Sequence, residues 1–348
     1  MAMIRALRTL TGRFRCFSEA KTAAQEAPGL SPIEGLIRQR LAADPHRDAL
    51  KVASQGVQWT YTELNVRVRQ RYTSAFAHGL LEMGLAAGDS VAFWTCKSDT
   101  AETMALQLAC ARAGLQAHLV SSEEGLADSL KEAKALIVSP WVAVKGTTEK
   151  RIDVVIKLVP ETRTTHWGTP LQSAAFPGLK YIVQLGFSTV RGTIKAKNVG
   201  IYGRGGIESG TDSAFLSAQG SAFSQKALLD LSSSLATEVQ LGKGQVLLNL
   251  INPKKPASVL GALASFSAGG KVVFPGEEKH VGKLAAQQHP TAVLLDSPLS
   301  LAECGEVDYL VVAETSGQAA EALAAKVRDN GLKAKKVAAL HSQTLQRL

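Results

Sequence analysis

Short, nearly continuous apolar runs recur along the chain, several of them separated by stretches with helical spacing, and this alternation constrains the fold most. The runs are VAFW at 91, LQAHLV at 115, ALIVS at 135, YIVQLG at 181, AFLSA at 214, QVLLNLI at 245, KVVFPG at 271, TAVLLD at 291, YLVVAE at 309 and VAALHS at 337. Strands exposed on one face alternate apolar and polar residues, whereas strands covered on both faces read as continuous runs. The expected fold class is therefore α/β, with layered, largely parallel sheets flanked by helices. Residues 186–213 carry the weakest pattern. IYGRGGIESGTDS is rich in Gly, Ser and Thr and reads as a surface loop between two halves.

Helix punctuation supports the same order. Ser31, Pro32 and Glu34 supply an N-cap, a first-turn proline and a capping-box acid, and that helix stops before Pro45. VQWTYTEL leads into a second helical pattern carried by Leu64, Val68, Tyr72, Phe76, Leu80 and Met83. Gly84 and the pair Gly88–Asp89 turn that pattern into the strand at 91. DTAETMALQLACARAG closes at Gly114, and ALLDLSSSLATEV, PASVLGALASFSAGG and GQAAEALAAKVRDNG supply later helices.

Composition narrows the function classes. At 348 residues, with 45% hydrophobic and 20% charged residues, the chain suits a globular protein of one large or two ordinary domains. No apolar run approaches the roughly 18 residues of a membrane span. The first 18 residues hold Arg5, Arg8, Arg13 and Arg15 with no acid before Glu19, the composition of a mitochondrial transit peptide cut near Cys16–Ser18. Residues 19–30 then read as a flexible lead-in. Setting the four arginines aside lowers the formal charge from +9 to +5, so much of the basicity is an address. The remaining clusters, Lys254–Lys255 and Lys333, Lys335 and Lys336, lack interleaved aromatics and read as solvated surface, not a nucleic-acid footprint. Cys16, Cys96, Cys110 and Cys304 form no metal-ligand spacing with the scattered histidines, so no metal is expected. Cys96 and Cys110 lie in apolar surroundings that suit small core residues. Each of the seven histidines lacks a local acid or thiol partner and is read as structural.

Three linked motifs carry a family resemblance: HRDALKVASQGVQWTYTEL, GLLEMGLAAGDSVAFW and ALQLACARAGLQA. Their order and separation resemble the opening of an AMP-forming acyl-CoA synthetase of the adenylate-forming superfamily. FPGLKYIVQLG, GALASFSAGGKVVFP and GQAAEALAAKVRDNGLKAKKVAALHSQT extend the resemblance over residues 33–348. It implies the fold of the large N-terminal domain of acyl-CoA synthetases, with one α/β subdomain over 31–200, a linker over 201–213 and a second subdomain over 214–348.

The resemblance also implies that the chemistry is gone. The family's phosphate loop, roughly T-S-G-T-T-G-x-P-K-G, falls on Leu216–Gln225, LSAQGSAFSQ. Ser217 keeps a hydroxyl and Ser221 stands where a loop glycine should be. Ala218 replaces another glycine, Gln219 and Gly220 the two threonines, Phe223 the proline and Ser224 the lysine. Glycines let backbone N–H groups turn inward and a lysine supplies charge, so both means of holding phosphate are lost. Lys226 comes two positions late, on the following helix. The family's adenine-stacking and magnesium motif falls on HSQTL, where only Thr344 matches, with His341 in place of the ring. Its cleft histidine aligns near Lys254. The hinge, ribose-binding aspartate and lysine-bearing C-terminal domain have no counterpart in residues 1–348.

Ser217, Gly220, Ser221, His341 and Thr344 are thus read as vestigial, with no catalytic residue, cofactor or metal. The expected function is a non-catalytic accessory subunit of a mitochondrial complex, ATP synthase or a respiratory-chain complex, in the matrix or on the matrix side of the inner membrane. It would bind protein partners, without nucleic acid or a membrane span of its own. A mitochondrial acyl- or CoA-binding module and an active ligase are the alternatives.

Overall fold

The computed structural model describes residues 31–66, 73–144, 147–186, 189–202, 214–218, 221–276, 280–296, 306–314 and 333–341. Helix α1 (Pro32–Ala43) precedes a hairpin of β1 (Asp48–Val52) and β2 (Val57–Thr60), then α2 (Tyr61–Asn65) and α3 (Thr73–Glu82). An alternating stretch follows: β3 (Ser90–Trp94), α4 (Thr100–Ala113), β4 (Gln116–Leu119), α5 (Leu126–Glu132) and β5 (Ala133–Val138). A ribbon of β6 (Val142–Val144) and β7 (Thr147–Glu149) leads to α6 (Arg151–Leu158), β8 (Tyr181–Gln184), β9 (Ile194–Lys195) and α7 (Ala196–Tyr202). The hairpin β10 (Ala214–Ala218) and β11 (Ser221–Ser224) opens the remainder, followed by α8 (Gln225–Glu238), β12 (Val246–Asn249), α9 (Pro256–Ala268) and β13 (Lys271–Phe274). Helix α10 (Val281–Gln288), β14 (Ala292–Leu295), β15 (Glu306–Glu314) and β16 (Lys333–His341) complete the order.

Two seven-stranded sheets result, ordered β2-β1-β13-β12-β14-β15-β16 and β11-β10-β4-β3-β5-β8-β9. Each is parallel except at one edge, where β2 or β11 folds back antiparallel on its neighbour. The largely parallel α/β expectation holds. The sheets do not follow chain order, however. β1 and β2 join β13 in the later sheet, and β10 and β11 join β4 in the earlier one, so each sheet draws residues from both sides of 201–213.

Three apolar clusters define the layers. The largest runs between the sheets and joins Ile37, Phe76, Leu106, Leu228 and Phe266 from the helices to Leu50, Phe93, Phe215 and Leu294 from the strands. A second packs α5 and α6 on the outer face of β3 and β5 through Leu126, Leu130, Ile152 and Val155. A third packs α10 on the outer face of β12, β13 and β14. Helices therefore pack on both faces of the central strands of each sheet, which explains why those strands read as continuous apolar runs.

Local punctuation follows the sequence closely. Ser31 accepts from the Glu34 amide, and Thr60 with Glu63 forms a complete capping box at the start of α2. Gly114 ends α4 with φ 68°. One detail differs. The Glu34 carboxylate does not close a capping box but pairs with Arg112 at 2.6 Å, drawing α1 onto α4. Between the sheets, the Tyr61 hydroxyl donates to the Gly270 carbonyl at 2.7 Å while its ring meets Phe266 edge-on at 6.3 Å. Burial pushes that hydroxyl's pKa well up, so it stays a donor.

Candidate functional site

The segment aligned with the phosphate loop is a hairpin. Leu216 pairs with Phe223, Ser217 with Ala222 and Ala218 with Ser221, which leaves only 219 and 220 between the strands. Apolar alternation drives this outcome: Phe215 and Phe223 are 1% and 3% exposed and join the core between the sheets. Residues on both sides of 219 and 220, which lie outside the described residues, thus belong to an antiparallel ladder where a phosphate loop would turn its backbone toward a ligand.

The end of the segment is equally committed to structure. Ser224 caps α8 by accepting from the Ala227 amide at 3.2 Å. Gln225, fully buried, donates to the Ala111 carbonyl at 2.9 Å and accepts from the Ile33 amide at 3.4 Å. A side chain where the family alignment has glycine thus ties α8 to α1 and α4. Lys226 lies on α8, as expected from its position. Ser221 is in β11, and His341 ends β16 in register with Glu314. Gly220, Thr344, the N-terminal stretch 1–30, Cys16, Cys304 and residues 203–213 lie outside the described residues.

Parallel α/β sheets bind ligands in crevices beyond the carboxyl ends of their strands. The crevice between the two sheets, where Lys97, Asn249, Pro253, Phe274 and Val281 meet, encloses about 10 Å³, room for one water. Lys254 follows the lining residue Pro253. Its Nζ donates to the Ser121 carbonyl, so it is not the solvated surface lysine expected from sequence, whereas Lys255 is exposed and pairs with Asp296 at 2.7 Å. Burial, with the nearby charges of Arg151 and Lys255, lowers the pKa of Lys254. Helix α9 is a core helix. A Cβ at Gly261 would clash with Leu294 Cδ2 and stand 3.3 Å from Leu247 Cδ2, so no cavity separates α9 from β12 and β14 there.

The roomier space lies on the outer face of the earlier sheet. A cavity of about 400 Å³ sits between α5 and the strands β4, β10 and β11, lined by Gln116, His118, Ser121, Ser129, Glu132 and Ser217 among others. His118 bridges it. Its Nδ1 lies 2.9 Å from Ser217 Oγ and its Nε2 3.0 Å from Ser129 Oγ. Burial lowers the His118 pKa against the opposing influence of Glu132. Only Ser217 of this group stands out in the sequence. The contact of His118 with Ser217 depends on parallel pairing of β4 with β10, 99 residues apart, and its contact with Ser129 on α5 packing beside β4.

Cys96 and Cys110 are buried free thiols. Cys110 is a small core residue as its surroundings suggest, whereas the Cys96 thiol lies 2.8 Å from Ser98 Oγ and 3.1 Å from Asp99 Oδ2 and belongs to none of the three apolar clusters. Among the described residues, no group of three or more His, Cys, Asp or Glu side chains converges as a metal site would require. Among them too, no helix is long and apolar enough to cross a membrane.

Comparison with known proteins places this geometry in context. Residues 37–175 match the family model for the AMP-binding enzymes. YngI of Bacillus subtilis (strain 168), described as an acyl-CoA synthetase, is 30% identical over 165 residues. Those residues are 47% of this chain and 28% of that protein, so the match spans little more than a quarter of the relative. The N-terminal domain of FACL13 from Mycobacterium tuberculosis superposes with a TM-score of 0.64 at 17% identity, covering 90% of this chain and 76% of that one. A protein from Rhodopseudomonas palustris CGA009, described as a long-chain-fatty-acid CoA ligase, gives 0.65 at 18% identity, covering 88% and 75%. At such identities the likeness is one of fold.

Proposed function

From the premise that this chain has an acyl-CoA-synthetase-like, adenylate-forming fold, we propose that it is a non-catalytic member of that fold, retained as an accessory subunit of a mitochondrial protein complex. ATP synthase and the respiratory-chain complexes are the hosts we favour. The observation that carries the reading is the hairpin at Ala214–Ser224. Adenylation needs a triphosphate held in line for attack, with cations and inward N–H groups for the developing charge. The ladder engages the backbone, Ser224 caps a helix where the alignment expects lysine, and Gln225 pins two helices where it expects glycine. The narrow crevice and the packed α9 give no support to a retained acyl or CoA pocket.

The mitochondrial address rests on the arginine-rich, acid-free residues 1–18, and the subunit role on a scaffold kept while its phosphate-holding residues are replaced. Blue-native electrophoresis of mitochondrial membranes, with identification of co-migrating proteins, tests both. Migration in an assembly many times larger than the 36.8 kDa chain is the expected result. Migration only as the free monomer, or absence from mitochondria, contradicts the proposal.

A further inference from the structure

The cavity beside α5 holds a hydroxyl, an imidazole and a second hydroxyl in line, and their hydrogen bonds fix the direction of the protons. Ser129 Oγ donates its single proton to the Gly125 carbonyl at 2.8 Å. Toward His118 it can therefore only accept, which places the imidazole proton on Nε2. Nδ1 is then the free acceptor, and the Ser217 hydroxyl donates to it at 2.9 Å. A nucleophile, its base and a group that orients the base recur together in nucleophilic catalysis on unrelated folds. Burial keeps this imidazole neutral at physiological pH, the state in which it can take a proton.

The surroundings indicate the kind of compound. About 400 Å³ suits a small molecule, with Leu119, Val120 and Ala222 offering apolar contact. Asp128 and Glu132 line the same cavity, so anionic groups such as phosphates are disfavoured near the reacting carbon.

We infer that Ser217, with His118 as its base, is a nucleophilic acyl acceptor for small uncharged esters and thioesters. Ser217 Oγ forms a bond to the acyl carbon as its proton passes to His118 Nδ1. The carbon–sulfur or carbon–oxygen bond of the substrate then breaks, and the leaving thiolate or alkoxide takes that proton from His118. The products are O-acyl-Ser217 and the free thiol or alcohol. Ser129 is a positioning residue that holds the tautomer. The inference does not depend on the accessory role, because acyl transfer to Ser217 needs no bound triphosphate.

Treating the folded full-length chain with an alkyl fluorophosphonate or 4-nitrophenyl acetate, followed by peptide mass mapping, tests this. One equivalent of adduct on the peptide containing Ser217 is expected, formed roughly 100-fold faster than in the urea-unfolded chain, the low end for a positioned base. Mapping on the unaltered protein locates the adduct without any variant. His118→Gln should remove the acceleration while circular dichroism is unchanged. Ser129→Ala should slow labelling, and Ser129→Thr, which keeps the hydroxyl, should restore it. An adduct elsewhere, labelling no faster than in the unfolded chain, or a rate indifferent to His118→Gln overturns the inference.

Discussion

The side-chain amide of Gln225 donates to the carbonyl oxygen of Ala111 at 2.9 Å, across 114 residues of sequence. Its carbonyl oxygen accepts from the Ile33 amide, so one buried side chain satisfies the backbone of two helices. Gln225→Ala leaves both groups without that partner in the core. Stability to urea should fall by about 1–3 kcal/mol, the cost of orphaned buried polar groups. Gln225→Glu, which substitutes an acceptor for the donor facing Ala111, should be no milder.

Glu34 and Arg112 form a buried pair at 2.6 Å, their side chains 3% and 12% exposed. Among the described residues, the second Glu34 oxygen and the Arg112 Nε have no hydrogen-bond partner, and the two side chains meet through Arg112 Nη1 and Glu34 Oε1. Arg112→Met strands a carboxylate in the core and should cost about 3–5 kcal/mol in urea unfolding. Combining it with Glu34→Leu should recover most of that loss, because two apolar side chains no longer carry the desolvation penalty.

Much of this architecture is legible in the sequence, because a strand covered by helices on both faces must be apolar at every position. The apolar runs at 135, 181, 214, 245, 271, 291, 309 and 337 all fall on strands. Caps at Ser31, Thr60 and Gly114 are legible too, since each acts within a few residues of itself. Partner choice is not. Nothing local in VQWT says that its hairpin adds to β13, and nothing in AFLSA says that it lies beside β4. The phosphate-loop segment shows the same limit. That it lacks the glycines and lysine of the motif it was aligned with is readable, whereas its closure into a ladder depends on Phe223 finding the core. His118 is passed over for the same reason, since both of its partners come from tertiary pairing.

His118 makes stability depend on pH. Its folded pKa lies below the ordinary 6.5, first because of burial, with Glu132 opposing. As pH falls through 6.5 the unfolded chain takes up a proton that the folded chain resists, so stability declines until the folded pKa is reached. Above pH 7 the contribution is fully present. Glu132 and the Asp128–Lys131 pair are the charged groups on α5 beside this cavity. Urea midpoints measured from pH 7.5 downward should show a loss in the unaltered chain that is smaller in His118→Gln.

Restoring the family's lysine alone should not restore nucleotide binding. Ser224→Lys removes the acceptor for the Ala227 amide and should destabilise the chain by about 0.5–2 kcal/mol, the usual cost of losing a helix cap. The ladder from Leu216 to Phe223 is untouched by this change, so no gain in ATP affinity is expected by calorimetry.

The most direct measurement is calorimetric titration of the purified folded chain with magnesium-ATP. A backbone locked into the β10–β11 ladder, with no lysine at its end, predicts no saturable heat at millimolar nucleotide. Saturable, magnesium-dependent binding with a micromolar Kd, lost on Ser217→Ala, would contradict the claim that this segment has ceased to grip phosphate.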